Sequence, residues 1–193
     1  MRREERVESI LAAAARAFAR TGFKATSMED IAAEAGITKL IVYRHFEGKK
    51  ELYEAVLGRV SERLVEAFTA GGGPASRPVT GLRALLTVAR EGPDGFLLLF
   101  RHSEREPDFA SYAEGYVARI TTALQVWLSS RIPDPVFLAW TARVLVRAGI
   151  EAVIAWLEAG DPGRDPEFLS RTERGLRALV QSVLEGERRA GRE

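Results

Sequence analysis

The 193-residue chain contains no cysteine and only two histidines, His45 and His102. Without thiols there can be no disulfide, no thiolate metal ligand and no cysteine nucleophile. The two histidines lie in unrelated segments, and the sequence has neither an HExxH motif nor a glycine-rich phosphate loop after a strand. We therefore expect a protein that is not an enzyme and that has no catalytic residues, no metal site and no cofactor.

Long apolar runs and a strong charge of either sign are also missing. No run reaches the roughly 18 residues that a membrane-spanning helix needs, and MRREERVES at the start carries both charges, unlike a signal peptide. We expect a soluble, cytoplasmic protein with no membrane partner. The net charge is only +1, so any binding to nucleic acid must depend on where a few basic side chains are placed.

Apolar residues with helical spacing are abundant, and they predict an all-α fold. The short apolar run at 96–100 is better explained as a buried helix than as a strand, because an isolated strand would leave its backbone groups unpaired. The glycine- and proline-rich segment 70–78 is the strongest loop signal, either a flexible connection or a boundary. The pattern predicts longer helices at about 3–21, 49–69, 79–91, 107–130, 135–159 and 166–187.

Residues 27–52 have the pattern of a helix, a turn, a second short helix and the start of a third. Ser27 and Asp30 have the spacing of a capping box, which begins the first helix. Gly36 supplies the backbone freedom for its end, and Thr38 is the expected N-cap of the second helix. Two helices joined by a short turn with glycine match the helix-turn-helix unit, which reads DNA with its second helix.

The second helix has two different faces. At 100° per residue, Val42 and Phe46 share one face and are expected to pack inside. Leu40 and Arg44 point the opposite way, towards a major groove. Arg44 can form a bidentate contact with guanine, and Leu40 can contact a thymine methyl group. Lys39 can reach a phosphate or a base.

The stretch from about Val7 to Val56 resembles the DNA-binding domain of the tetracycline-repressor (TetR) family of bacterial transcription regulators. The pieces that carry the resemblance are ATSMEDIAAEAGIT at 25–38, VYRHF at 42–46 and GKKELY at 48–53. The resemblance implies a homodimer, paired recognition helices, a small-molecule pocket in the C-terminal helices and loss of DNA binding when an inducer binds. Leu40 and Ile41 depart from the small residue and Ser or Thr that the family often has there, so the base preference stays open.

The resemblance also implies which residues contact the DNA backbone. Tyr43 and His45 match phosphate-contacting positions of the family, and Ser27, Thr38 and Lys49 match its other backbone-contacting positions. Three of them have an alternative structural role: Tyr43 as a partly buried tyrosine, His45 as a helix-end histidine, and Lys49 as a lysine paired with Glu47 or Glu54. The predicted DNA-binding residues are Ser27, Thr38, Lys39, Leu40, Tyr43, Arg44, His45 and Lys49.

The C-terminal helices contain more aromatic residues than a plain bundle needs. They can form an apolar pocket for an effector, and the alternative is ordinary core packing. The candidate pocket residues are Phe96, Phe100, Tyr112, Tyr116, Trp127 and Trp140. The last two helices are the candidates for self-association, although they can also form an intramolecular core.

We therefore predict a helix-turn-helix DNA-binding domain at 1–48, followed by a helical effector-binding and dimerisation domain at 49–193. The expected function is a homodimeric repressor that leaves a near-palindromic operator when a small, mostly apolar effector binds. The alternative is a helical ligand-binding or interaction protein that does not use its helix-turn-helix.

Overall fold

The computed structural model describes the backbone of residues 3–71, 79–103 and 106–190. These residues form helices and no strands, as predicted. No helix among them is both long enough and apolar enough to cross a bilayer. Most of the predicted loop at 70–78 lies outside the described residues. The α-helices are α1 (Arg3–Ala25), α2 (Met28–Glu34), α3 (Lys39–Tyr43), α4 (Lys49–Ala70), α5 (Val79–Glu91), α6 (Pro93–Leu97), α7 (Ala110–Leu128), α8 (Pro135–Ala159) and α9 (Asp165–Ala190).

Three helix boundaries differ from the sequence prediction by three or more residues, and one of them is the end of α9, at Ala190 instead of about residue 187. Helix α1 was expected to end near Gly22, but it bends there, with φ 80°, and continues to Ala25. Only a residue without a Cβ adopts this backbone readily, so the glycine produces a kink instead of an end. Helix α7 begins at Ala110 instead of Pro107, because the residues before it form a turn in which the Phe109 amide donates to the Glu106 carbonyl.

The apolar run at 96–100 is helical and buried, as predicted. It includes the end of α6 and part of a π-helical turn, Leu98–His102, with its wider hydrogen-bond spacing. Ser103 is fully buried after this turn and donates its hydroxyl proton to the Leu99 carbonyl at 2.5 Å. Its polar group is thereby satisfied inside the core.

The chain divides into two compact units. The first comprises Met1–Arg63 and Glu91–Ala113, and the second comprises Leu64–Arg90 and Glu114–Glu193. The predicted domain division between residues 48 and 49 stays a prediction.

Aromatic side chains form the centre of the first unit. Phe109 packs with its ring centroid 4.9 Å from that of Phe23 and 4.4 Å from that of Tyr53, and the Tyr53 ring lies 4.9 Å from Phe18. Burial raises the pKa of Tyr53 to about 12, so its hydroxyl stays neutral at physiological pH. The segment before α7 is therefore joined to α1 and α4 by one aromatic cluster, which we call the aromatic core (Phe18, Phe23, Tyr53 and Phe109).

In the second unit, Asp165 at the start of α9 joins α5 and α8. Arg90 donates Nη2–H to Asp165 Oδ1 at 2.8 Å and Nε–H to Oδ2 at 3.1 Å, and Trp156 Nε1–H donates to Oδ1 at 2.6 Å. The Trp156 ring also stacks on Phe168, with centroids 4.9 Å apart. The Arg90 guanidinium holds the pKa of Asp165 below its usual range, and Trp156 adds to this.

We expect Asp165→Asn to destabilise the second unit by about 1–3 kcal/mol at neutral pH, because charge-assisted hydrogen bonds are lost. The folded pKa is depressed, so this stabilisation is present above the unfolded pKa of about 3.9 and disappears as the pH falls through the folded value. Urea unfolding, followed by tryptophan fluorescence at pH 7 and at pH 3, measures how much the substitution lowers the free energy of unfolding at each pH. The exposed Glu185→Gln on the same helix is the control, and an equal loss for Asp165→Asn at both pH values would contradict the assignment.

Candidate nucleic-acid interface and a cavity in the C-terminal helices

Helix α3 has the two faces that its sequence predicts. Val42 is fully buried and Phe46, just after the helix, is 7% exposed. On the other side, Leu40 is 68% exposed, Tyr43 is 44% exposed and Arg44 is also exposed. A large apolar side chain gains nothing by facing water. The packing thus leaves Leu40, Tyr43 and Arg44 available for an external partner.

The start of α2 is closed by the predicted capping box. The Ser27 hydroxyl accepts the Asp30 amide proton at 3.1 Å, and Asp30 Oδ2 accepts from the Ser27 amide at 2.8 Å. The Ser27 hydroxyl also donates to Asp30 Oδ2, and these bonds hold the pKa of Asp30 below its usual range. Gly36, with φ 65°, ends the helix in the left-handed region, as expected for glycine.

The start of α3 differs from the prediction in one respect. Thr38 occupies the N-cap position with extended backbone, but its side chain makes no capping hydrogen bond. Thr38 is therefore the N-cap residue, as expected, but its hydroxyl does not bond to a backbone amide of the helix. Because Thr38 is exposed, its hydroxyl remains available to a phosphate oxygen.

Lys39 forms an ion pair with Glu29, which connects the start of α3 to the first turn of α2. The Lys39 ammonium also lies 5.5 Å from the centre of the Tyr43 ring. The ion pair raises the pKa of Lys39 and lowers that of Glu29. Both side chains are exposed, so the pair is weak and a phosphate can replace the carboxylate at little cost.

Lys49 does not pair with Glu47 or Glu54, the alternative that its sequence neighbours suggest. Its ammonium donates to the Lys24 carbonyl at 3.1 Å and lies 4.7 Å from the centre of the Phe23 ring. The start of α4 is thereby tied to the end of α1. The predicted role of Lys49 towards phosphate remains a prediction.

His45 lies in the turn that follows α3. Its side chain is half-buried, and its amide donates to the Val42 carbonyl at 3.0 Å. Most of the predicted DNA-binding residues belong to α3 and its two caps: Thr38, Lys39, Leu40, Tyr43 and Arg44. His45 follows α3, and Ser27 and Lys49 lie at the starts of α2 and α4.

The second unit contains a cavity of about 380 Å³, within the size range of small-molecule sites. The end of α4 contributes Phe68, and α5, α7, α8 and α9 supply mostly apolar walls. Two of the six predicted aromatic residues line it, Tyr116 and Trp127. Tyr116 is 3% exposed, and burial raises the pKa of its hydroxyl, which therefore stays neutral.

The other four predicted pocket residues do not line this cavity. Phe96 and Phe100 are buried in the first unit, where their ring centroids are 4.9 Å apart, so the core-packing alternative describes them. Tyr112 also belongs to the first unit and is half-buried. Trp140 is 49% exposed on the surface of α8, because the opposite face of that helix carries the buried residues.

Four polar residues at the cavity were missing from the sequence prediction. They are Arg131, which follows α7, and Glu173, Arg177 and Gln181 on α9. Glu173 and Arg177 have the i, i+4 spacing of an ordinary surface ion pair, which gives no indication of a pocket. The apolar cavity therefore has a polar portion made from residues that the sequence does not single out.

Comparison with known proteins identifies the domain that contains α3. The profile of bacterial regulatory proteins of the tetR family matches residues 10–56. The HTH-type transcriptional activator FasR of Mycolicibacterium smegmatis is 31% identical over 173 residues, which cover 83% of this chain and 76% of that protein. The HTH-type transcriptional repressor BepR of Brucella suis biovar 1 is 36% identical over 52 residues, or 27% of this chain and 25% of that protein.

Solved structures show the same relationship over nearly the whole chain. A TetR-like transcriptional regulator from Rhodococcus sp. RHA1 superimposes with a TM-score of 0.81 and 25% identity, covering 96% of this chain and 99% of that one. A tetR-family regulator from Streptomyces coelicolor has a TM-score of 0.66 and 25% identity, covering 99% and 87%. The chain therefore belongs to the tetR family and is a DNA-binding transcriptional regulator.

Proposed function

We propose that the protein is a homodimeric repressor that leaves a near-palindromic operator when a small effector binds in the cavity of the second unit. The observation that carries its DNA-binding part is the exposed face of α3. Leu40, Tyr43 and Arg44 project from a helix whose other face is anchored by Val42. A regulator of this kind acts where the chromosome is, in the cytoplasm.

Contacts to DNA divide into two kinds under this proposal. Arg44 and Leu40 choose bases, Arg44 by bidentate hydrogen bonds to guanine and Leu40 by contact with a thymine methyl group. The contacts that fix the position on the backbone come from Ser27, Thr38, Lys39, Tyr43, His45 and Lys49. Lys39 exchanges its exposed Glu29 partner for a phosphate.

Self-association is proposed through α8 and α9. Val136, Phe137 and Trp140 are large apolar side chains that are all exposed on the first turns of α8. Positions 136 and 140, and 137 and 140, are neighbours on a helix surface, so these residues form one patch, which we call the α8 patch. Exposed apolar clusters of this kind mark protein interfaces. We therefore assign Trp140 to the dimer surface and not to the effector pocket.

A random-oligonucleotide selection followed by gel shifts tests the proposed function. We expect a site with two half-sites separated by about one helical turn or a multiple of it, bound more weakly as salt rises. The sign of regulation is tested by a reporter gene placed behind the selected site. Failure to select any site, or a salt-independent affinity, would contradict the proposal.

We expect Arg44→Ala to relax base choice at one position of each half-site, at a cost of about 1–3 kcal/mol for the preferred base. Tyr43→Phe removes only the hydroxyl group of Tyr43, which is proposed to contact the DNA backbone. It should therefore weaken binding to all sequences alike. Gel shifts against the selected site and its single-base variants measure both effects. If Tyr43→Phe changed base preference and Arg44→Ala did not, the assignment of the two residues would be wrong.

A further inference from the structure

The polar portion of the cavity carries one more positive than negative charge. Its charged side chains are Arg131, Glu173 and Arg177. Glu173 and Arg177 face each other with Nη2 and Oε2 3.6 Å apart. Within the described part of the chain, Arg131 has no carboxylate partner. One of the two guanidinium groups at the cavity is thus left without a counter-charge.

Arg131 is exposed at the cavity, and two contacts with Trp127 orient its side chain. Its guanidinium carbon lies 4.1 Å from the centre of the Trp127 ring, and Nη1–H donates to the Trp127 carbonyl at 3.0 Å. Trp127 itself lines the cavity. The aromatic face and the carbonyl orient the cation while its other N–H groups remain available, because arginine has five donors. The arrangement suits an anion that approaches along the tryptophan face.

Glu173 is the opposing charge at this site. Its side chain is only 14% exposed, whereas that of Arg177 is 61% exposed. A carboxylate that is mostly withdrawn from water repels a second anion, and its ion pair with Arg177 offsets part of this repulsion. Glu173 therefore disfavours ligands with more than one negative charge. A ligand with a single negative charge is matched by the unpaired Arg131.

We infer that the effector is an amphipathic monoanion, with an aliphatic or aromatic body in the apolar cavity and one carboxylate group at Arg131. The inference rests on the proposed effector role of the cavity. The apolar body is bound by Leu85, Ile120 and Leu145 among the lining residues, and the buried neutral hydroxyl of Tyr116 adds no charge. The charge at Arg131 distinguishes carboxylic acids from alcohols and amines of the same size.

Matched probes test the ligand class. Isothermal titration calorimetry on the 193-residue chain compares decanoate, decanol and decyltrimethylammonium, which have ten-carbon chains and differ in the charge of the head group. We expect decanoate to bind about tenfold more tightly than decanol, because one hydrogen-bonded charge is added. Decyltrimethylammonium should bind most weakly. Equal affinities for decanoate and decanol would overturn the inference.

Variants of opposite sign locate the charge. Arg131→Gln should lower the decanoate affinity about tenfold and leave decanol unchanged, whereas Glu173→Gln should raise the decanoate affinity. The control is Arg171→Gln, because Arg171 is exposed on the same helix, pairs with Glu167 and does not line the cavity. If Arg131→Gln changed the affinity for decanol as much as the affinity for decanoate, the proposed role of Arg131 would be wrong.

A cavity-filling variant verifies the place of binding. Gly149 lines the cavity, and a Cβ added there would lie 3.7 Å from Leu85 Cδ1, an ordinary contact. Gly149→Leu should extend from this position into the cavity and exclude both probes, with circular dichroism verifying that the variant stays helical. Retained decanoate binding by the folded variant would place the site elsewhere. Gel shifts of the unchanged protein without any probe test the proposed function separately. If the unchanged protein did not bind DNA, the proposed function would be contradicted. If it bound DNA but showed no preference for decanoate over the other two probes, only this inference would be contradicted.

Discussion

We expect Trp140→Glu to convert the protein from a dimer into a monomer at micromolar concentration and to lower operator affinity by about a hundredfold or more. The indole is half exposed on α8 beside Val136 and Phe137, and in the proposed dimer a glutamate in its place would be an unpaired charge buried in the contact. A monomer engages one half-site, so it loses the gain from binding two linked half-sites. Light scattering and gel shifts measure the two effects.

Val126→Glu is the matched control for this experiment. Val126 is also a large apolar residue in the second unit and is 71% exposed, but it lies on α7 and not on α8 or α9. We expect this variant to stay dimeric with unchanged operator affinity, and circular dichroism verifies that both variants remain helical. Dissociation by Val126→Glu, or a Trp140→Glu protein that remains a dimer, would remove the α8 patch from the dimer interface.

The helix-turn-helix was predictable from sequence because its determinants are local. Ser27 and Asp30 are three residues apart and form their capping box without help from other parts of the chain. Gly36 takes the left-handed conformation that few other residues adopt. The 100° rotation per residue alone separates Val42 from Leu40. Short-range geometry therefore gave both the elements and the exposed face of the candidate interface.

The cavity could not be predicted in the same way, because it depends on contacts between distant segments. An aromatic residue is apolar whether it packs in a core or lines a pocket, so Phe96 and Tyr116 look alike in sequence. Phe96 packs against Phe100 in the first unit, whereas Tyr116 faces the cavity of the second. Arg131 gave no signal either, since its position over Trp127 follows from the turn after α7.

Lys49 illustrates a third case, in which the structural alternative considered from the sequence was wrong. That alternative paired Lys49 with Glu47 or Glu54, its neighbours in the chain. The structure instead connects it to the carbonyl of Lys24 and the ring of Phe23. This contact joins the start of α4 to the end of α1, and no periodic pattern in the sequence predicts a tertiary contact of this kind.

The second large effect is expected in the aromatic core, where Phe109→Ala should destabilise the first unit by about 3–5 kcal/mol. Phe109 is 1% exposed, and its ring contacts those of Phe23 and Tyr53. Truncation removes the buried ring and leaves a cavity, and both terms add to the cost. This loss is a large part of the 5–15 kcal/mol that stabilises an ordinary domain, so operator binding should fall as the first unit unfolds.

Phe109→Leu distinguishes lost burial from lost ring contacts. Leucine keeps most of the apolar volume but not the edge-to-face geometry, so we expect it to retain most of the stability, with a cost of about 0.5–1.5 kcal/mol from the aromatic contacts. The three tryptophans, Trp127, Trp140 and Trp156, all belong to the second unit. Circular dichroism therefore follows both units, whereas tryptophan fluorescence follows the second alone. If Phe109→Ala shifted the transition by less than about 1 kcal/mol, residues 106–113 would not be part of the core that supports the helix-turn-helix.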